Sequence, residues 1–76
     1  MNIIEKIVDF LKKLSGMNEI RLTDDLKTDV GLDSLNMVIL LVELEVMFLI
    51  ELDESDMNPL KLKTVRDVIN LVEKYI

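Results

Sequence analysis

The stretch DSLNMVILLVELEVMFLI, residues 33–50, decides how this chain folds. After its first two residues, only Asn36, Glu43 and Glu45 are polar before Ile50. Two apolar faces run through it at helical spacing: Met37, Leu40, Leu41, Leu44 and Phe48 on one, and Leu35, Val38, Ile39, Val42, Val46 and Leu49 on the other. We therefore predict a helix from about Ser34 to Leu49. A small domain cannot bury such a helix on every side, so part of it is expected to be a docking face.

The start of this helix allows two interpretations of Ser34. Asp33 or Ser34 can act as the N-cap, because either side chain can accept a hydrogen bond from a free backbone N–H of the first turn. The chain contains no histidine and no cysteine, so it has no imidazole to activate the serine hydroxyl. Ser34 is therefore either a plain N-cap residue or a residue to which another enzyme attaches a group.

Two further helices flank this segment. The first, over residues 3–14, carries Ile3, Ile4, Ile7, Phe10, Leu11 and Leu14 on one face and ends at Ser15 and Gly16. A long loop over residues 16–33 follows, with spaced aliphatic residues that predict contacts with the core. Residues 51–63 are suited to a turn or one or two helical turns. The last helix starts at Thr64, which with Asp67 resembles a capping box, and its inward face is Val65, Val68, Ile69, Val72 and Ile76.

Composition favours one small all-α domain over residues 1–76. Half of the 76 residues are hydrophobic, and the aromatic residues are only two Phe and one Tyr.

The net charge of −6 excludes nucleic-acid binding that depends on neutralising phosphates. Eleven acids and two bases between Glu19 and Asp56 give that stretch a charge of −9, which suits a basic partner surface or simply maintains solubility. We find no signal-peptide pattern and no run long enough to span a bilayer, and predict a cytoplasmic monomer without membrane insertion.

The same inventory argues against catalysis. Neither a Ser-His-Asp triad nor an ordinary zinc site is available without histidine and cysteine. The acidic groups at 24–25 and 53–56 do not have the spacing of a calcium-binding loop, and we interpret them as solvated loops. No glycine-rich phosphate loop occurs. We therefore predict no catalytic residue, no metal ligand and no enzymatic activity.

Several motifs together resemble the acyl carrier and peptidyl carrier protein family. The resemblance covers essentially the whole chain. Its motifs are Leu22-Thr23-Asp24-Asp25-Leu26, Val30-Gly31-Leu32, Asp33-Ser34-Leu35, Leu44-Glu45 with Phe48, and the stretch from Asp56 to Thr64-Val65. The resemblance implies a right-handed four-helix bundle of acyl-carrier type, with three main helices, a short third helix and a long loop between helices one and two.

The resemblance also implies a cofactor and partners. Ser34 would carry 4′-phosphopantetheine, transferred from coenzyme A by a magnesium-dependent holo-carrier synthase (a phosphopantetheinyl transferase). The thiol of that group would hold acyl or aminoacyl cargo as a thioester for loading ligases, acyltransferases and synthases. The residues that match the recognition surface of the family are Asp33, Leu35, Val38, Ile39, Val42 and Glu45. The alternatives are a cap for Asp33, core packing for Leu35, Val38 and Val42, and simple solvation for Glu45.

Departures from the family pattern concern the acidity of the second helix. Asn36, Ile39, Val46 and Met47 stand where bacterial fatty-acid carriers commonly have acids. This favours a dedicated acyl carrier in fatty-acid, lipid or polyketide-type synthesis that docks more by apolar contact than by charge. Two alternatives stay open at this point: an aminoacyl carrier loaded by an adenylating ligase, and an unmodified carrier-like interaction module.

Overall fold

Three α-helices and two 3-10 turns make up the fold. A computed structural model describes residues 2–76, so Met1 of the predicted domain lies outside the described residues. The helices are α1 (Ile3–Ser15), α2 (Ser34–Phe48) and α3 (Val65–Tyr75), and the 3-10 turns are Glu54–Asp56 and Pro59–Lys61. No strand occurs within residues 2–76, apart from an isolated bridge between Asp25 and Thr64. The predicted all-α class is confirmed, and the short third helix takes the form of the two 3-10 turns.

The ends of α1 and α3 follow from local sequence. Asn2 caps α1 by accepting a hydrogen bond from the N–H of Glu5 at 2.8 Å. At the other end Gly16 takes a left-handed conformation with φ of 78°, and its N–H donates to the carbonyl of Lys12 at 2.8 Å. Thr64 and Asp67 form the predicted capping box at the start of α3. These helices begin and end where the sequence places them, to within one residue.

α2 lies against the core with one of its two apolar faces. Met37, Leu40, Leu41 and Leu44 are buried, and they join the buried side chains Ile7, Leu11, Leu26, Val30, Leu32, Leu52, Leu62, Val65, Val68, Ile69, Leu71 and Val72. Phe48 packs partly buried against this core. Two predicted inward residues are wrong: Ile4 is 42% exposed and Ile76 is 67% exposed. Ile4 lies in the first turn of α1, and Ile76 is the C-cap residue that follows α3.

The long loop is attached to the first turn of α3 by backbone hydrogen bonds. The N–H of Val65 donates to the carbonyl of Asp24 at 3.1 Å, and the N–H of Arg66 donates to that of Leu22 at 3.0 Å. A third bond runs the other way, from the N–H of Leu26 to the carbonyl of Lys63 at 2.8 Å. First-turn N–H groups have no partner inside their own helix, so the loop supplies the acceptors that α3 lacks. Each segment thereby holds the other in place.

The end of the loop turns the chain into α2. Leu26, Val30 and Leu32 are buried, and the N–H of Leu32 donates to the carbonyl of Leu26 at 2.9 Å. Gly31, between the last two, has φ of 84°. A Cβ built on Gly31 meets nothing within 4 Å, so the requirement for glycine lies in the backbone angle and not in space.

Hydrogen bonds attach the segment between α2 and α3 to both of these helices. The Glu45 carboxylate accepts a hydrogen bond from the N–H of Leu52 at 2.9 Å. The Tyr75 hydroxyl donates to Asp56 and accepts from the N–H of Asp53 at 2.9 Å, while the Lys74 ammonium lies 2.9 Å from the Asp56 carboxylate. Hydrogen bonds from Tyr75 and then Lys74 lower the pKa of Asp56. Side-chain hydrogen bonds thus join the first 3-10 turn to α3, and the Glu45 bond joins Leu52 to α2.

Asp67→Asn tests the acid at the start of α3. Hydrogen bonds from the N–H groups of Thr64 and Lys63 stabilise the carboxylate and lower the pKa of Asp67 below its ordinary 3.8. This stabilisation is complete above pH 3.8 and is lost as the pH falls through the lower pKa of the folded state. Urea unfolding should therefore show Asp67→Asn less stable than the wild type at pH 7, with the difference shrinking below pH 3.8. The control is Asp9→Asn, which removes an exposed charge on α1; a pH-independent difference for Asp67→Asn would contradict the assignment.

Gly31→Ala should destabilise the fold through its backbone angle alone. The left-handed region disfavours a residue with a Cβ, so we expect a loss of about 1 kcal/mol in the free energy of unfolding. Gly16→Ala is the matched variant, since Gly16 has φ of 78° and is equally free of neighbours. Similar losses for both variants in denaturant titrations are expected, whereas a several-fold larger loss for Gly31→Ala would indicate a packing constraint instead.

Candidate functional site

Ser34 is the first residue of α2, and Asp33 rather than Ser34 caps the helix. The Asp33 carboxylate accepts a hydrogen bond from the N–H of Asn36 at 2.8 Å. The Asn36 side-chain oxygen accepts in return from the N–H of Asp33 at 3.3 Å, which completes a capping box. The interpretation of Ser34 as the N-cap is therefore wrong. Its side chain is exposed, and the hydroxyl is not required to begin the helix.

Asn36 has a local role that sequence reasoning did not assign. In the sequence, Asn36 stands out only as a departure from the acid that is usual in the related carriers. The signal that could have revealed the role is its spacing, three residues after Asp33, which repeats the spacing of Thr64 and Asp67 at α3. An amide closes the box without adding a charge. As a result, the first turn of α2 contains no acidic side chain.

The electrostatic setting of Ser34 favours an anionic substituent. Backbone N–H groups at a helix N-terminus carry partial positive charge, and a phosphate ester on the first residue lies close to them. The Asp33 carboxylate opposes this at short range, but it is engaged with the N–H of Asn36. The Ser34 side chain, exposed at the first turn, can therefore hold a phosphodiester in solvent without burying charge.

The outward face of α2 is a stripe of exposed aliphatic side chains. We call it the α2 stripe, and its members are Leu35, Val38, Ile39, Val42, Val46 and Leu49, which are 67%, 47%, 41%, 48%, 63% and 92% exposed. The alternative that Leu35, Val38 and Val42 pack in the core is wrong. Periodicity alone could not decide this, because both faces of α2 are equally apolar. The stripe starts at the residue after Ser34.

The predicted recognition residues do not all lie on the α2 stripe. Leu35, Val38, Ile39 and Val42 do, and Asp33 is exposed just before it. Glu45 is only partly exposed, and its carboxylate is bonded to the N–H of Leu52. Sequence reasoning left Val46 and Leu49 out of the recognition set, although their helical spacing places them on the same face. Leu60, in the second 3-10 turn, is a further exposed aliphatic side chain, at 80% exposure.

A groove between α1 and α2 lies outside the Ser34 region. It is lined by Lys6, Asp9, Phe10, Lys13, Glu43 and Met47. None of these residues belongs to the predicted site. In the part of the chain that the structure describes, the acidic side chains do not gather into a group of three or more that could hold a metal ion. None of the helices in residues 2–76 has the length and apolar character needed to cross a membrane.

Comparisons with known proteins agree on a family. Residues 5–72 match the family model described as "Phosphopantetheine attachment site". The acyl carrier protein of Phytoplasma mali (strain AT) is 30% identical over 76 residues, which cover 97% of this chain and 88% of that protein. The acyl carrier protein of Thermotoga maritima is 31% identical over 76 residues, which cover 97% of this chain and 91% of that protein.

These matches span nearly the whole chain. They agree with the helical fold, with the exposed serine at the start of a helix and with the apolar outer face of that helix. The chain belongs to the acyl carrier protein family, whose members are non-catalytic carriers with a covalently attached 4′-phosphopantetheine.

Proposed function

We propose that Ser34 is the residue that receives 4′-phosphopantetheine. We further propose that residues 1–76 act as one cytoplasmic, monomeric carrier domain for acyl intermediates in fatty-acid, lipid or polyketide-type biosynthesis. The proposal rests on the way α2 begins. Asp33 and Asn36 form the capping box, so the exposed Ser34 hydroxyl is not needed to cap the helix.

The residues around Ser34 fit such a group. The start of α2 is held by the capping box and by the loop that is bonded to α3, so the hydroxyl has a defined position on the surface. When bound, the group supplies a thiol that holds the cargo as a thioester. The chain has no histidine and no cysteine. We therefore assign activation of the Ser34 hydroxyl to a partner, a holo-carrier synthase that uses coenzyme A.

The α2 stripe supports docking of partner enzymes. It begins beside Ser34 and presents aliphatic side chains that the fold does not bury. Exposed apolar patches of this kind on small proteins commonly mark interaction sites. We propose that the holo-carrier synthase, acyl-loading ligases, acyltransferases and synthases use this face in turn. An aminoacyl carrier remains the second candidate, and incubating the holo protein with acyl and with aminoacyl ligases separates the two.

Ser34→Ala should abolish attachment without disturbing the fold. After incubation with coenzyme A and a broad-specificity transferase, the wild type should gain the mass of one phosphopantetheine, located in the Ser34 peptide. Ser34→Ala should gain nothing, while Ser55→Ala, at another exposed serine, should gain the full increment. Stability should change by less than about 0.5 kcal/mol, because Ser34 is not the cap. Asp33→Ala should lose about 1 kcal/mol, since it removes the cap.

The same experiment addresses the unmodified interaction module. If the wild type gained no mass with any transferase while remaining folded, the carrier function would be rejected for this chain. The search for a binding partner would then turn to the exposed α2 stripe. Attachment at Ser55 instead of Ser34 would contradict the site while leaving the function intact.

Docking through apolar side chains should depend weakly on salt. Surface charge pairs are screened within about 10 Å at 0.1 M salt, whereas apolar contact is not. We expect the KM of a holo-carrier synthase for this carrier to rise less than roughly threefold between low and moderate salt. Val46→Glu, which introduces an acid on the α2 stripe, should make the KM more sensitive to salt. A wild-type KM that rises tenfold or more, by roughly the change expected for charge-steered docking, would overturn apolar docking.

A further inference from the structure

The segment that links α2 to α3 is attached to the helices by side chains. We call residues 50–61, which contain both 3-10 turns, the strap. Its backbone hydrogen bonds close its own turns, such as the bond from the N–H of Asp56 to the carbonyl of Asp53 at 2.8 Å. Within the described residues 2–76, no N–H of residues 51–61 donates to a backbone carbonyl beyond the strap. The long loop differs, because three backbone bonds join it to the start of α3.

The strap also buries few apolar side chains. Of residues 51–61, Leu52 alone is buried, at 6% exposure. The 3-10 turns are three residues each, and such turns have poorer hydrogen-bond geometry than an α-helix. Segments with few buried apolar contacts and few long-range backbone bonds open more readily than the rest of a fold. Opening the strap should therefore require less free energy than unfolding the helices.

The Tyr75 hydroxyl joins both ends of the first 3-10 turn to α3. It accepts a hydrogen bond from the N–H of Asp53, which precedes the turn, at 2.9 Å, and it donates to the carboxylate of Asp56, which ends the turn. The Asp56 side chain is 11% exposed, so its carboxylate has little access to water. Lys74 also pairs with Asp56, but its side chain is 62% exposed, and exposed ion pairs contribute little. Tyr75 therefore makes the main polar attachment of this turn to α3.

We propose that the strap opens as a unit while the three helices remain folded, and that the Tyr75 hydroxyl is the latch that holds it closed. Leu52 leaves the core in the open state, which exposes apolar core surface to solvent. Ser34 lies at the opposite end of α2, so the capping box and the proposed attachment site stay in place. The strap is thus a conformational device that acts separately from the start of α2.

Leu52 shows whether the strap moves as one segment. Its N–H donates to the carboxylate of Glu45 on α2 and makes no bond to Tyr75. If the latch controls the whole strap, the loss of the Tyr75 hydroxyl reaches Leu52 although the bond to Glu45 is intact. If Tyr75 holds only its own partner, the effect ends at Asp53.

The test is native-state hydrogen exchange of the apo protein, followed by NMR at low, increasing denaturant concentrations. In the wild type, the amides of Leu52, Asp53 and Met57 should exchange at least about tenfold faster than the slowest helix amides. Their rates should also depend less on denaturant, because opening the strap exposes less surface than global unfolding. Tyr75→Phe, which removes the hydroxyl alone, should speed exchange at all three positions by about tenfold.

Gly16→Ala is the matched control. It destabilises the end of α1, which remains folded when the strap opens. It should therefore speed exchange of the slowest helix amides while leaving the strap amides within about twofold of the wild type. Two results overturn the proposal: strap amides that share the rates and the denaturant dependence of the helices, and a Tyr75→Phe effect confined to Asp53.

The ionisation of Tyr75 tests the latch without changing the chain. Tyr75 is the only tyrosine and the chain has no tryptophan, so ultraviolet absorbance reports this hydroxyl alone. The hydrogen bond to Asp56 raises the pKa of Tyr75, and the charges of Asp53 and Lys74 also lie beside the ring. The folded wild type should titrate above the ordinary 10.0, and Asp56→Asn should titrate lower than the wild type. A folded wild type that titrates at or below 10.0 would contradict the latch.

Discussion

The long loop and the first turn of α3 satisfy each other's backbone hydrogen-bonding groups, and this fixes the path of the chain between α1 and α2. Three backbone hydrogen bonds join residues 22–26 to residues 63–66. The free N–H groups of a helix start need acceptors, and an irregular loop needs partners for its own polar groups. Each supplies the other, while Leu26 is buried beneath them. A segment of 16–33 without regular structure thereby delivers the chain to the start of α2 in a defined position.

The two capping boxes use the same spacing with different chemistry. At α3, Asp67 closes the box with a carboxylate, and the N–H groups that bond to it lower its pKa. At α2, Asn36 closes the box with a neutral amide, so the negative charge of the box resides on Asp33 alone. Negative charge in the first turn competes with any anion placed there. Because Asn36 is neutral, it closes the capping box without adding a negative charge. The positive end of the α2 dipole therefore remains available to the substituent proposed on Ser34.

The two apolar faces of α2 differ in burial according to their position around the helix. Its inward face joins all three helices in one core, whereas the α2 stripe remains exposed over the whole length of the helix. A chain of this size has one small core, and exposed aliphatic residues add nothing to it. Such a stripe carries a risk of nonspecific association, which a net charge of −6 opposes by repulsion between copies. An apolar contact face on an acidic molecule is suited to transient docking.

The helices, the N-cap of α3, the end of α1 and the family can be predicted from the sequence, because periodicity, caps and motifs are local properties. The choice between Asp33 and Ser34 as the cap of α2 depends on the folded backbone, since both residues have suitable chemistry and only one occupies the cap position. The tertiary structure also decided which apolar face of α2 is covered, because coverage depends on segments distant in sequence. The bond of Glu45 to Leu52 and the left-handed conformation of Leu49 arise in the same way, from how α2 ends and where the chain returns to the core.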